Sequence, residues 1–379
     1  MHLSALFDNS RQYYENKLDR KYPGFKSIME NKEPVIIYGA ARMGRLFKKH
    51  LNNQQILVIA FADKDAQLWE TTIDGISVIS PDKLQTNYAY TPIFVASLLH
   101  ETPICDKLDR MNLERVYPLF YLNLKYPDIF ISPEYRGVFD SVFNAENRRK
   151  IRNVTGLWED GISRTVFSCL IEFRFTFQKD LLKAAKSRYP QYFEPSIISL
   201  SDEEVMLDCG AYIGDTVKQF DEITSGHYKK VYSFEPDRFN FAKLQECAKN
   251  MSPRKIVPVN CGVYRTSGEL CFSEKGSIDT RVTKEKNAST LPVVRIDEFV
   301  IGKEPPTFIK MDIEGGETDA LEGARNTISK YKPKLAISVY HKPEDLWRIP
   351  LLIKEINSEY KMYLRHYTDG LVDTVCYAI

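Results

Sequence analysis

The stretch VMLDCGAYIGDT, residues 205–216, decides the fold. Three apolar residues lead into Asp208; Gly210 and Gly214 follow, then Asp215. A short apolar run bounded by turn residues reads as a buried strand. A strand that enters a glycine turn and then a helix opens a parallel α/β unit, which takes a nucleotide-like ligand at the strand's carboxyl end.

Working outward, the same grammar repeats. VYSFEP (231–236), KIVPVN (255–260), TFIKMD (307–312) and KLAISVY (334–340) read as further strands, with helices between most of them. YKMYLRHY (360–367) and TVCYAI (374–379) close the domain as two strands around Asp369-Gly370, a hairpin turn signal. Residues 264–300 read as β-rich, with a Gly-Ser insertion at 276–277. Nearer the start, PVIIYG (34–39), ILVIAFADKD (56–65) and TPIFVAS (91–97) are strands. RLFKKHL (45–51) is a helix, and IDGISVISPDKL (73–84) a loop with a short strand and a Pro-started helix. Such alternation predicts a small parallel α/β sheet. Residues 10–30 form a polar, amphipathic helical lead-in, and VFSCLIEFRFTFQKDLLKAAKSRY (166–189) mixes aromatics and charges at helical spacing, the aromatics reading as core. The expected organisation is an N-terminal Rossmann-like domain over 1–120, a helical connector over 121–200 and a second α/β domain over 201–379.

Bulk properties narrow the partners. With 379 residues the chain is long for one core. Lys plus Arg number 52 against 51 Asp plus Glu, a net charge of +1, without the basic excess of a general nucleic-acid binder. The longest apolar run, ILVIAFA at 56–62, is too short to span a bilayer, and the first residues lack a signal-peptide core. Seven cysteines without a CxxC pair argue against structural zinc and a disulfide framework, so a reduced cytoplasm is expected. Oligomeric state stays open.

Three strand ends in the second domain carry chemistry. The first is Asp208-Cys-Gly210 with Gly214 and Asp215; its turn has Ala211-Tyr212 where a dinucleotide fold has the glycine that admits a pyrophosphate. A ligand without phosphate, such as S-adenosylmethionine, fits better. The second end is SFEPD, where Glu235 is placed to accept both hydroxyls of a ribose. The third is FIKMDIEGGE, with Asp312 and Glu314 on one face of a continuing strand. They suit an acceptor hydroxyl, a divalent metal or the methionine amine, the bland alternative being an ion pair with Lys310 or Arg295. Asn260 faces an adenine or is an ordinary turn residue. His341 follows the fifth strand, where a neutral imidazole can take a proton from an acceptor hydroxyl. Arg365 is placed to meet an acidic substrate group, and His366 beside it reads as structural.

DCGAYIGDT, SFEPDRFNFAKL, FIKMDIEGGETDALEGARNTI and LAISVYHKPEDLWRIPLLI together resemble the FkbM-type S-adenosylmethionine-dependent O-methyltransferases, over roughly residues 190–379. The resemblance implies a seven-stranded sheet with the last strand antiparallel, S-adenosylmethionine as donor, and a small-molecule or glycan hydroxyl as acceptor. It places Asp208, Gly210, Gly214 and Glu235 at donor-binding positions. VIIYGAARMGRLF, FADKD, GISVISPDKL and IFVAS resemble the nucleotide-sugar-recognising N-terminal domain of some bacterial sugar acetyltransferases. That makes Gly39, Arg42, Gly44 and Asp63 a candidate second nucleotide site, with Ala41 narrowing the approach. The expected activity is O-methylation of a sugar, nucleotide sugar or glycan, with His341 as base and Asp312 orienting. The alternative is a non-catalytic nucleotide-binding partner or scaffold. An NAD(P)-dependent oxidoreductase is disfavoured by Ala41.

Overall fold

The computed structural model describes residues 3–97, 100–130, 137–251, 254–272 and 289–379. The Gly-Ser insertion at 276–277 lies outside them. The chain divides into two compact units, Met1–Arg148 with Cys169–Lys183, and Arg149–Ser168 with Ala184–Ile379. The chain crosses between them three times, inside the helices Ala145–Thr155, Gly161–Thr176 and Asp180–Ala185, all within the stretch read above as a connector.

The first unit holds β1 (Val35–Tyr38), β2 (Val58–Ala62), β3 (Thr72–Ile73), β4 (Ile76–Ile79), β5 (Ile93–Val95) and β6 (Val116–Tyr117). They make a six-stranded sheet in the order β3-β4-β2-β1-β5-β6, parallel except for the β3–β4 pair. The loop expected around residues 73–84 is therefore a small hairpin followed by a helix at Asp82–Asn87.

The second unit holds β7 (Val205–Cys209), β8 (Lys230–Phe234), β9 (Ile256–Val259), β10 (Gly262–Val263), β11 (Gly268–Phe272), β12 (Ser289–Val294), β13 (Phe308–Met311), β14 (Lys334–Ser338), β15 (Met362–His366) and β16 (Thr374–Ala378). Seven of these form a sheet in the order β15-β16-β14-β13-β7-β8-β9. Only β16 runs against its neighbours. β7 is buried at every residue, as a central parallel strand covered on both faces must be, and this is why its sequence reads as an apolar run. Met206, Val231, Phe308, Val375 and Tyr377 pack on one face with Phe193 and Phe220. β15 is an edge strand and is not left bare. Met362 and His366 bridge to Trp158 and Lys186, and the Leu364 N–H donates to Ser163 Oγ at 2.9 Å. A small sheet in the order β10-β12-β11 supplies the β-rich region expected after residue 264.

From β7 the chain proceeds outward through β8 and β9, then returns to β13 beside β7 and continues the other way to β14. The strand order reverses between β7 and β13, and the crevice outside their carboxyl ends is where such sheets take ligands. No helix among the described residues is long and apolar enough to cross a membrane.

Candidate active site

A cavity of about 480 Å³ opens at that reversal, lined by Gly210, Glu235, Lys310, Asp312, Tyr340 and His341 among others. Its size is that of a small-molecule site, roughly 300–1,000 Å³.

The donor-side expectations divide on inspection. Gly210 has φ +81°, and a Cβ there would stand 1.8 Å from the Asp312 carbonyl oxygen. Glycine is thus demanded first by the close approach of the β7 and β13 ends. Beside it, the Tyr212 N–H donates to Glu235 Oε2 and the Asp237 N–H to Oε1, each at 2.9 Å. Two backbone donors fix the carboxylate while leaving it lone pairs for further hydroxyls. Burial pushes the Glu235 carboxyl up to about 7, the two N–H groups pulling the other way. Gly214 precedes the helix Asp215–Thr224, and Asp215 lines the cavity at the start of that helix.

Two residues expected at the donor face elsewhere. Asp208 is fully buried and in register with Lys310 on β13; Lys310 Nζ lies 3.0 Å from its Oδ1 and donates to the Gly210 carbonyl at 2.6 Å. Asp208 thus contacts Lys310, which lines the cavity, and is not itself among the lining residues. Burial disfavours the ammonium, but Asp208 and Asp312 outweigh it and hold Lys310 protonated. Asn260 turns its amide back to the Glu235 carbonyl at 2.8 Å, bracing the β8 end instead of facing an adenine.

The other end of the cavity is crowded with carboxylates. Asp312 Oδ2 accepts from Tyr192 at 2.6 Å, and Tyr340 donates to Oδ1 at 3.2 Å. Burial raises Asp312, but His341, Lys310 and the two phenols outweigh it and keep it below the usual carboxylate range. His341 sits with its side chain 6% exposed, Nδ1 2.9 Å from Glu317 Oε1, and Nε2 3.3 Å from Asp312 Oδ1 and 3.6 Å from Glu314 Oε2. Neither ring nitrogen has an oxygen in line for a hydrogen bond, so these are charge contacts. Burial disfavours the charged ring, yet Glu317, Asp312 and Glu314 hold its pKa up at about 10. The neutral imidazole expected of a base is therefore not the resting form in this setting, because three carboxylates hold a proton on the ring. Nearby, burial and Glu317 push Asp345 up to about 7, and burial and Asp312 push Asp373 up to about 6. This end of the site seeks positive charge.

Other expectations shift too. Arg365 is 2% exposed and engages Asp160 at 2.7 Å, which removes it from any substrate. His366 is fully buried, with Nδ1 2.8 Å from Thr374 Oγ1. Sequence reading missed Tyr192 and Tyr340 as partners of Asp312. Tyr340 follows β14 just before His341, a position that could have drawn notice, whereas Tyr192 lies in irregular chain before β7 with no local signal.

In the first unit, Asp63 behaves as Glu235 does. Its Oδ2 accepts the Ala40 N–H at 2.8 Å and its Oδ1 the Asp65 N–H at 3.0 Å. Gly39 directly follows β1, and the helix Arg42–Asn53 begins with an exposed Arg42. A Cβ on Gly44 would fall 1.9 Å from the Gly39 carbonyl oxygen, so Gly44 lets that helix pack on the turn.

The second unit is a doubly wound α/β domain with one reversed strand and a ligand cavity at its switch point. Residues 208–369 match the Methyltransferase FkbM domain, and residues 31–116 match the C2185-like N-terminal domain. The chain thus carries an FkbM methyltransferase domain. It is 27% identical over 131 residues to the hexuronic acid methyltransferase AglP of Haloferax volcanii, a match over 34% of this chain and 52% of that protein. The chain therefore spans about half the length of this curated relative. Its fold is similar to the crystal structure of a methyltransferase FkbM from Methylobacillus flagellatus KT. The TM-score is 0.78 at 24% identity, over 98% of this chain and 99% of the other.

Proposed function

We propose that this protein is an S-adenosylmethionine-dependent O-methyltransferase acting on a hydroxyl of a sugar, nucleotide sugar or glycan. The observation that carries the reading is Glu235. Its carboxylate is pinned by two backbone N–H groups at the cavity edge with lone pairs to spare, the arrangement a ribose diol requires. The residues fit the donor's remaining parts. Phe234, Pro236 and Val263 offer apolar wall to a base, and the carboxylate-rich end suits an ammonium and a sulfonium. The hexuronic acid named for the relative supports a sugar acceptor.

When bound, S-adenosylmethionine supplies a methyl group on a positively charged sulfur, a leaving group that needs no acid. The protein's task is then to position the acceptor and draw on its proton. Asp312, kept ionised and oriented by Tyr192 and Tyr340, accepts the acceptor's hydrogen bond, with Glu314 beside it. His341 holds Asp312 from the far side as a cation. Calorimetric titration with S-adenosylmethionine, followed by mass detection of methylated product over a panel of sugars, uronic acids and nucleotide sugars, tests the reading. Absence of donor binding in the folded wild type would refute it.

For the first unit we propose a nucleotide or nucleotide-sugar site at Gly39, Arg42 and Asp63, with Gly44 as its packing support. What favours it is the likeness of Asp63 to Glu235, each an acid at a strand end braced by two backbone N–H groups. A nucleotide panel that never raises the melting temperature would end it.

A further inference from the structure

We propose that Asp373 determines acceptor specificity, its carboxylate taking a second hydroxyl of the same sugar whose reacting hydroxyl Asp312 orients. This deepens the methyltransferase reading and rests on it.

The sheet sets Asp373 on the acceptor side of the cavity. β16 runs against its neighbours, so its beginning lies at the edge where the parallel strands end. Asp373 directly precedes β16. The Val339 N–H donates to the Thr374 carbonyl at 2.9 Å, which ties that beginning to the end of β14, beside Tyr340. In the order β16-β14-β13-β7-β8, Asp373 stands two strands from Asp312 and four from Glu235. At about 4.8 Å per strand, the backbones are roughly 10 Å and 19 Å apart. A donor held by its ribose at Glu235 occupies the β8 and β7 ends first. Asp373 lines the same cavity at the opposite limit, beyond Asp312.

Its hydrogen bonding separates it from the other carboxylates of the cavity. Asp237 Oδ1 accepts the Phe239 and Asn240 N–H groups, each at 2.9 Å. Asp319 Oδ1 accepts from Arg265 at 2.7 Å, and Asp312 is held by two phenols. Among the described residues no donor stands in line with the Asp373 carboxylate. The Gln191 amide lies near enough to favour its ionised form, yet Nε2 makes no hydrogen bond. Burial and Asp312 raise the Asp373 carboxyl to about 6, with Gln191 and His341 pulling the other way. At neutral pH it is chiefly ionised and purely an acceptor. The main chain around it is pinned, since the Asp373 carbonyl accepts the Tyr367 N–H at 3.0 Å and the Val372 carbonyl accepts Thr368 Oγ1 at 2.8 Å. A half-buried acceptor on a fixed turn, without its own donor, suits a substrate hydroxyl. Two carboxylates in one cavity repel a substrate carboxylate or phosphate. The part of the acceptor that enters is therefore a neutral polyol face, and any charged group it carries points outward.

The test assays the full chain with S-adenosylmethionine on methyl pyranosides and nucleotide sugars of glucose, galactose, mannose and glucuronic acid. Deoxy analogues of whichever sugar is methylated follow. Asp373 has φ +59°, a conformation that Asn and Gly accept, so Asp373→Asn and Asp373→Gly keep the turn. For one hydroxyl other than the methylated one, its removal should cost the wild type about 10–100-fold in kcat/KM, the worth of a hydrogen bond to a charged group. Both variants should show a loss of that size on the parent sugar and distinguish it from the deoxy analogue by less than about twofold. Donor affinity, measured by calorimetry, should be unchanged in both. Equal discrimination in wild type and variants overturns the assignment of Asp373. Weakened donor binding in both variants also overturns it, by placing Asp373 at the donor. A wild type that binds the donor and methylates no sugar overturns the acceptor site and spares the methyltransferase reading. Absence of donor binding in the folded wild type removes that reading, and the acceptor site with it.

Discussion

Glu235 makes a pH-dependent prediction that can be worked from the structure. Its carboxyl is buried, with two backbone donors as its protein partners, and its pKa stands at about 7 against an ordinary value of 4.5. A ribose diol donates to the ionised form, so donor affinity should rise with pH through about 7. Ionisation goes from roughly one part in eleven at pH 6 to ten in eleven at pH 8, a gain of about tenfold in affinity. Folding stability should run oppositely. A carboxyl raised in the folded state contributes stability that is full below the unfolded value of 4.5 and is lost as pH rises through about 7. The loss is roughly 3 kcal/mol for a shift of this size, and bound donor should offset it. The assay is calorimetric titration of S-adenosylmethionine at fixed ionic strength from pH 6 to pH 8, on wild type and on Glu235→Gln. The variant should bind about 100-fold more weakly, because its amide sets an N–H against one of the Tyr212 and Asp237 N–H groups and loses charge-assisted acceptance. It should also lose the wild-type slope, leaving only the donor's own titration. Equal slopes in the two proteins would refute the argument, whatever the affinities.

Other consequences follow from individual contacts. Lys310→Met should cost about 3–5 kcal/mol in denaturant unfolding by stranding Asp208, and pairing it with Asp208→Leu should return much of that loss. Gly210→Ala should abolish donor binding and lower the melting temperature, since the added Cβ meets the Asp312 carbonyl oxygen at 1.8 Å. Tyr192→Phe removes a 2.6 Å donor to Asp312; a bond to a charged group is worth about 1.5–3 kcal/mol, so kcat should fall about 10–100-fold with donor affinity unchanged. Steady-state kinetics alongside donor titration checks it, and an unaltered kcat removes Tyr192 from the acceptor site.

Much of the architecture was legible because a parallel sheet converts sequence position into spatial position. Apolar runs ending in Asp208, Glu235 and Asp312 had to bring those ends to one edge once their strands ran parallel, so an acid-lined site there could be read from order and spacing alone. The reach of each side chain could not. Asp208 and Asn260 sit at the right strand ends yet point elsewhere, one to Lys310 and the other to the Glu235 carbonyl, because register and turn dihedrals decide direction. Gly210 was visible as a turn, but its need arose from the Asp312 backbone, far along the chain. The charge state of His341 depends on Glu317, Asp312 and Glu314 closing around it, and the orientation of Asp312 on Tyr192 from irregular chain before β7. Local pattern determines which residues arrive at the edge. Which of them meet, and with what charge, is set by non-local packing, whose distances and burial the linear spacing does not contain.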